Sequence, residues 1–133
     1  MIMKFKEFYP KVDPMAWVAP SADVIGNIEV GADSSIWFGC VLRADVNSIT
    51  IGKRTNIQDL SMIHTDVHTK TIIGNDVTIG HKVMLHGCTV ESGCLIGMSA
   101  TILDDAVIGE GSIVGANSLV TQGKIFPPRS LIM

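Results

Sequence analysis

The chain has 133 residues and a mass of 14.2 kDa, which favours a single domain large enough to bury a core without disulfide bonds. Ten Lys and Arg against thirteen Asp and Glu give a formal net charge of −3, which argues against nucleic acid as a partner. Hydrophobic residues make up 47% of the chain and aromatic residues only 5%, which excludes disorder and predicts a core of small aliphatic side chains.

The N-terminus is charged at Lys4, Lys6 and Glu7 and lacks the apolar region of a signal peptide. The uncharged stretch from Cys94 to Leu103 is far shorter than the ~20 apolar residues that span a bilayer. Three cysteines cannot all pair with one another, as a disulfide framework would require. We therefore expect a cytoplasmic protein that does not contact a membrane.

From Val18 onward, an Ile, Leu or Val recurs with a period of six, interrupted by a few shifts. The members of the series are Val18, Val24, Val30, Ile36, Leu42, Ile51, Ile57, Ile63, Ile73, Ile79, Leu85, Val90, Ile96, Ile102, Ile108, Val114 and Val120. This period differs from the 3.6 of a helix and is a multiple of the strand period of two. It predicts a β-solenoid of short parallel strands, with Gly or Asn at turn positions that need unusual dihedral angles. A β-sandwich is less compatible, because its strands recur about every 8–12 residues without one fixed period.

The predicted fold is therefore all-β, with one domain over residues 1–133. We expect a lead-in segment over 1–17, hexapeptide coils over 18–125 and an exit segment over 126–133. The two longest shifts of the repeat fall at 47–50 and 65–70. Extra residues at fixed places in a solenoid are expected to form loops while the coils keep stacking.

Counting the repeat in threes places three aliphatic residues in one vertical column on successive coils: Leu42, Ile63 and Leu85. The residues that follow them should also stack on one outer side, namely Arg43, His64 and His86. The same count stacks Ile57 below Ile79, so that Asp59 and His81 should lie together on a different face.

Two stacked histidines reach a single metal ion, because Zn–N bonds are ~2.0–2.1 Å long. His81 lies on another face, so a site with three histidines needs His81 from a neighbouring subunit, and a cyclic trimer supplies that arrangement. Any one histidine is more often an ordinary surface or core residue, which is how we interpret His68 in the 65–70 loop. Three of four histidines at positions set by the repeat favour a metal site at a subunit boundary.

Several polar residues surround the predicted histidine columns. Arg43, Asp45 and Asp59 are either solvated charges or, as we favour in a chain with only 17% charged residues, an interface network. Gln58 is either a turn residue or a hydrogen-bonding partner of metal-bound water. The cysteines are interpreted as small buried residues and not as ligands: Cys40, Cys88 and Cys94.

Five segments in this order on a hexapeptide repeat resemble the γ-class carbonic anhydrases over roughly residues 9–133: Arg43-Ala44-Asp45, Asn56-Ile57-Gln58-Asp59, Ile63-His64-Thr65, Ile79-Gly80-His81 and Leu85-His86-Gly87-Cys88. The resemblance implies a left-handed β-helix, an exception to the usual right-handed crossover. It also implies a homotrimer with one metal at each subunit interface, bound by His64 and His86 of one subunit and His81 of the next. Zn, Co and Fe(II) all suit three imidazoles and water.

The same resemblance implies that the chain is an enzyme that hydrates CO2 reversibly to bicarbonate. The metal lowers the pKa of its water, so that hydroxide attacks CO2 near neutral pH. Gln58 would orient the hydroxide or the product, and Arg43, Asp45 and Asp59 would form ion pairs that hold the subunits in register.

The chain departs from the family pattern in two places. Val46 replaces an acidic residue, and the loop after His64 lacks the acidic insertion associated with proton transfer, so turnover is expected to be weak unless His68 or buffer substitutes. The sequence ends at Met133, where relatives usually continue into a C-terminal helix, so either this is a truncated form or that helix is absent.

Two other functions share the predicted solenoid. A hexapeptide-repeat acyltransferase would bind coenzyme A and use a histidine as general base at a subunit boundary. A non-catalytic trimeric scaffold or metal-binding accessory protein would bind metal without hydrating CO2.

Overall fold

The computed structural model describes residues 1–133 and contains nineteen short strands and no helix. The strands are β1 (Ile2–Met3), β2 (Lys11–Val12), β3 (Trp17–Val18), β4 (Asp23–Val30), β5 (Ser35–Ile36), β6 (Val41–Ile51), β7 (Asn56–Ile57), β8 (Met62–His64), β9 (Thr71–Ile73), β10 (Thr78–Ile79), β11 (Met84–His86), β12 (Thr89–Val90), β13 (Leu95–Ile96), β14 (Thr101–Ile102), β15 (Val107–Ile108), β16 (Ile113–Val114), β17 (Leu119–Val120), β18 (Ile125–Phe126) and β19 (Leu131–Ile132). It follows that the chain has no helix that could cross a membrane.

The strands wind into a three-sided, left-handed β-helix in which the strands of each face pair in parallel. Face 1 contains β1, β8, β11, β14, β17 and the first parts of β4 and β6. Face 2 contains β2, β9, β12, β15, β18 and the second parts of β4 and β6. Because β4 and β6 continue round the corner, faces 1 and 2 form one twelve-stranded sheet, whereas face 3 is a separate seven-stranded sheet of β3, β5, β7, β10, β13, β16 and β19.

The interior of the helix is filled by the aliphatic residues of the repeat. Leu42 pairs with Ile63, and Ile63 with Leu85, so the predicted column on face 1 is confirmed. Ile57 pairs with Ile79 on face 3, which confirms the second column. All five side chains are fully buried within one core cluster of 29 residues. The all-β solenoid predicted from the period of six is therefore the observed fold.

Paired strands extend beyond the interval 18–125 that the repeat predicts for the coils. β1 and β2 lie within 1–17, and both pair with β4. β19 lies within 126–133 and pairs with β16. Val12 of β2 lies six residues before Val18, and Ile132 of β19 lies twelve residues after Val120, so the repeat continues into both segments and their strands extend the ladders of the solenoid.

The two shifts of the repeat are accommodated differently. Residues 65–70 form the expected loop, closed by two backbone hydrogen bonds between Asp66 and Thr69 of 3.0 and 3.3 Å. The loop predicted at 47–50 was wrong, because these residues belong to β6. Gly26 pairs with Ala44 and Ile28 with Ile49, so the extra residues bulge out of the ladder at 45–48 instead.

The glycines that follow the aliphatic residues have a different role from the predicted one. Gly52 does not adopt a positive φ, but a Cβ there would lie 2.7 Å from the carbonyl carbon of Gly74 on the next coil. It is glycine because the two backbones approach closely. The left-handed turn positions are often filled by other residues, including Arg54 (φ 53°), Leu60 (φ 65°) and Lys82 (φ 56°). The expectation of Gly or Asn at such turns therefore holds at only some of them.

Candidate metal centre

The two histidines on face 1 lie side by side on neighbouring coils. His64 ends β8 and His86 ends β11, and the two residues are paired in register. Because inward Ile63 and Leu85 precede them, both imidazoles point outward by the alternation of a strand. The Nδ1 atom of His64 lies 3.1 Å from the Nε2 atom of His86. The predicted stacking of these two residues is therefore observed.

A carboxylate and a guanidinium continue this row at its lower end. Asp45 lies in the β6 bulge, and its carboxylate contacts the Nε2 atom of His64 at 2.9 Å through one oxygen and the guanidinium of Arg43 at 2.6 Å through the other. Partial burial opposes ionisation of Asp45, but the hydrogen bonds from His64 and Arg43 outweigh it and hold the pKa of the carboxyl below its ordinary value. Asp45 is thus an acceptor for the Nε2–H of His64.

A second carboxylate continues the row at its upper end, and the sequence prediction missed it. Asp104 follows β14 on the next coil, and its carboxylate lies 2.5 Å from the Nδ1 atom of His86. We call Arg43, Asp45, His64, His86 and Asp104 the polar file. A detectable signal was present, because Asp104 stands two residues after Ile102, the next member of the column of Leu42, Ile63 and Leu85.

A buried hydroxyl fixes the ends of the two strands that carry the histidines. Thr71 is fully buried, and its hydroxyl donates a 2.7 Å hydrogen bond to the carbonyl of His64. The same oxygen accepts a 2.9 Å hydrogen bond from the amide of Gly87. Since Gly87 follows His86 directly, one side chain ties both histidine backbones together and limits their relative movement.

His81 and its neighbours form a separate group at the turn between face 3 and face 1. The Nδ1 atom of His81 lies 3.1 Å from the carboxylate of Asp59, and the imidazole is half exposed. The side-chain amide of Gln58 donates a 2.9 Å hydrogen bond to the Asn56 side chain. These residues line an open cavity of about 470 Å³ together with the exposed Trp37.

The polar file and the His81 group do not meet within one chain. No group of three His, Cys, Asp or Glu side chains is arranged to hold a metal in the isolated chain. His68 is exposed in the 65–70 loop, and Val46 is exposed at the bulge. The cysteines are free and buried, and burial raises the pKa of the Cys88 thiol to about 12, so Cys88 is protonated near neutral pH.

The facing nitrogens of His64 and His86 have a geometry that fits one metal ion. If each carboxylate accepts an N–H from its histidine, the nitrogens that face each other both present a lone pair. An ion at ~2.05 Å from both nitrogens, which are 3.1 Å apart, would subtend an N–metal–N angle of about 100°. This angle lies between the octahedral and tetrahedral values, so the residues present suit a divalent metal with further ligands from elsewhere.

Comparisons with known proteins place this geometry in a family. Residues 87–122 match the family model described as bacterial transferase hexapeptide (six repeats). Gamma carbonic anhydrase 1, mitochondrial, of Arabidopsis thaliana is 57% identical over 89 residues, which cover 62% of this chain and 32% of that protein. The chain thus spans about a third of the length of this curated relative.

Two solved structures match along almost the whole chain, each covering 98% of it and having 76% of its own length covered. A Bacillus cereus protein described as a candidate acetyltransferase is 45% identical with a TM-score of 0.97, and a hexapeptide transferase family protein from Anaplasma phagocytophilum is 42% identical with a TM-score of 0.94. Because both structures are more than 40% identical and are covered to three quarters of their length, these matches establish that the chain belongs to the hexapeptide transferase family, which has the left-handed β-helix fold.

Proposed function

We propose that this chain is a metal-dependent carbonic anhydrase of the γ type, which hydrates CO2 reversibly to bicarbonate at the subunit interfaces of a homotrimer. The observation that carries the proposal is the in-register pair of His64 and His86, whose facing nitrogens are 3.1 Å apart and whose far nitrogens contact carboxylates. The 57% identity to a plant γ-carbonic anhydrase supports it. The cytoplasmic location stays a prediction.

The proposed metal ligands are His64 and His86 of one subunit and His81 of the next. The separation of His81 from the polar file supports a shared site, because one chain alone offers only two adjacent imidazoles. The imidazole of His81 is also half exposed, so it is available to a second subunit. The three imidazoles would hold Zn, Co or Fe(II), and the ion would supply the Lewis acidity that makes hydroxide available near neutral pH.

The chain's own residues orient the reacting groups in this proposal. Asp45 accepts a hydrogen bond from the Nε2–H of His64, which keeps Nδ1 of that ring free to ligate. The carboxylate of Asp59 lies 3.1 Å from the Nδ1 atom of His81, as an ion-pair contact. Gln58 lines the open cavity and donates its amide N–H to the Asn56 side chain, which leaves its carbonyl oxygen free to accept a hydrogen bond. That oxygen would orient the nucleophile or the product. Arg43 donates a hydrogen bond to the carboxylate of Asp45 and so fixes the position of that carboxylate beside His64.

Proton removal is expected to limit the rate. Val46 carries no titratable group, and the 65–70 loop offers only Asp66 and the exposed His68 as proton carriers. A proton carrier in solution should therefore accelerate the reaction.

The direct test is CO2 hydration by protein purified without oxygen and reloaded separately with Zn, Co and Fe(II). We expect activity that rises with imidazole concentration and that is lost in His81→Ala. Full occupancy by each metal without hydration in any buffer would contradict the enzyme proposal and favour a metal-binding accessory role.

Acyl transfer is the second candidate, and the names of the two matched structures favour it. It predicts saturable binding of coenzyme A and acyl transfer that survives chelation of metals. Carbonic anhydrase activity predicts the opposite response to chelation, so one chelation experiment with both assays separates the two functions.

A further inference from the structure

Asp104 occupies a position that no sequence motif assigned to the site. It lies on the coil above His86, and its carboxylate contacts the Nδ1 atom of that imidazole at 2.5 Å. The Asp104 side chain is only 24% exposed, and His86 is its one ion-pairing partner. Asp45, the carboxylate at the opposite end of the polar file, is shared between His64 and Arg43. The negative charge of Asp104 is therefore directed at His86 alone.

The local backbone holds Asp104 in this place. Its carbonyl accepts a 2.9 Å hydrogen bond from the amide of Gly123 on one neighbouring coil. The amide of Asp105 donates a 2.8 Å hydrogen bond to the carbonyl of Gly87 on the other. The carboxylate fills space beside Gly87, where a Cβ atom would come within 2.5 Å of it. The absence of a side chain at Gly87 thus makes room for Asp104 next to His86.

This placement determines which nitrogen of His86 is free. A carboxylate at Nδ1 favours the tautomer that carries its proton there, which leaves a lone pair on Nε2. Nε2 is the atom that faces His64 at 3.1 Å. Without such an acceptor, the proton could reside on Nε2 and block the side on which an ion would bind.

We propose that Asp104 is a positioning residue of the metal centre, which fixes the Nδ1–H tautomer and the ring orientation of His86 so that Nε2 is presented to the ion. The inference rests on the proposed metal site. Asp104 would accept a hydrogen bond from the N–H of a metal-bound histidine. Loss of such a carboxylate typically lowers metal affinity by about 10–100-fold.

The test titrates the metal-stripped full chain with Zn(II) against a competing chelator. Asp104→Asn preserves the shape of the side chain and removes its charge, and we expect it to weaken Zn(II) binding by roughly 10–100-fold. Asp105→Asn is the matched control, because it makes the same change one residue away at an exposed position with φ of 63°, which Asn tolerates. This control should stay within about twofold of wild type.

A second readout reports the tautomer without metal. The ¹⁵N chemical shifts of His86 in the metal-free chain should show protonated Nδ1 in wild type and in Asp105→Asn. Asp104→Ala removes the acceptor altogether, whereas Asn keeps a carbonyl oxygen, so a population with protonated Nε2 is expected in Asp104→Ala. Zn(II) affinity equal to wild type in Asp104→Asn, together with unchanged His86 shifts in Asp104→Ala, would overturn the proposal. If wild type binds no Zn(II), the proposed metal site fails, and the His86 shifts alone then decide whether Asp104 controls the tautomer.

Discussion

The inner and outer surfaces of the same three strands follow different rules. On the inside, Leu42, Ile63 and Leu85 are interchangeable aliphatic side chains that fill one column. On the outside, His64 and His86 each contact a carboxylate at hydrogen-bond distance. The interior needs only volume and apolarity, whereas the exterior needs particular atoms in particular places. The period of six therefore determines the fold, and the residues between the periodic positions determine the chemistry.

The largest expected difference in stability is between substitutions at two consecutive residues of β8. Ile63→Ala removes a fully buried side chain and should destabilise the protein by about 2–5 kcal/mol, because it leaves a cavity between coils. His64→Ala should abolish metal binding and change the stability of the metal-free chain much less, since the imidazole lies on the outer surface. Urea unfolding and metal analysis of both variants provide the measurement. Similar losses of stability in the two variants would contradict this division between inner and outer surfaces.

Two glycines are expected to be needed for different reasons: Gly52 because two backbones approach closely, and Gly123 because its backbone is left-handed. Gly52→Ala should cost about 1–3 kcal/mol, because its Cβ would lie 2.7 Å from the Gly74 carbonyl carbon, and Gly52→Asn should cost more. Gly123 has φ of 77° and nothing within 4 Å of an added Cβ. Gly123→Ala should lower the free energy of unfolding by about 1 kcal/mol, and Gly123→Asn should lower it by less, because Asn tolerates the left-handed region. Thermal unfolding of the four variants tests the predicted reversal of the Ala and Asn order.

The sequence alone predicted the column of Leu42, Ile63 and Leu85 and the stacking of His64 on His86, because both follow from a fixed period. It could not predict that the extra residues near Asp45 stay in a strand as a bulge, since a count of spacings does not distinguish a bulge from a loop. It did not predict Asp104, because the residue directly after Ile102, which continues the outer column of His64 and His86, is Leu103 and not Asp104. The role of Gly52 depends on the distance to the neighbouring coil, which a linear pattern does not contain.

The lower end of the polar file should give a pH-dependent contribution to stability. The hydrogen bonds from His64 and Arg43 hold the pKa of Asp45 below its ordinary value in the folded state. In the unfolded chain the carboxyl takes up a proton near pH ~3.9. Stabilisation by ionised Asp45 is therefore complete above about pH 4 and is lost as the pH falls through the folded-state pKa. The difference in unfolding free energy between wild type and Asp45→Asn should shrink below pH ~4, and a constant difference from pH 7 to pH 3 would be inconsistent with this coupling.

The smallest expected effect concerns the cysteines, which belong to the interior. Cys40, Cys88 and Cys94 are at most 2% exposed, and burial raises the pKa of Cys88 to about 12. None should react with a thiol reagent in the native protein at pH 8, and all three should react in guanidinium. Rapid native labelling of Cys88, only two residues from His86, would show that the candidate metal centre is more open than its packing indicates.

The most direct test is to mix two variants of the full chain that are each expected to be inactive, and to measure metal content and CO2 hydration. His81→Ala keeps His64 and His86, whereas His64→Ala keeps His81, so an intact set of ligands forms only where the first variant meets the second in the correct order. Random mixing of equal amounts into trimers makes about one quarter of the interfaces intact, since each of the two positions is filled correctly half the time. We predict that each variant alone binds no Zn(II) at the site and that the refolded mixture recovers about a quarter of the wild-type metal content and CO2 hydration. No recovery in a mixture shown to contain mixed trimers, or full binding by either variant alone, would contradict a metal site shared between subunits.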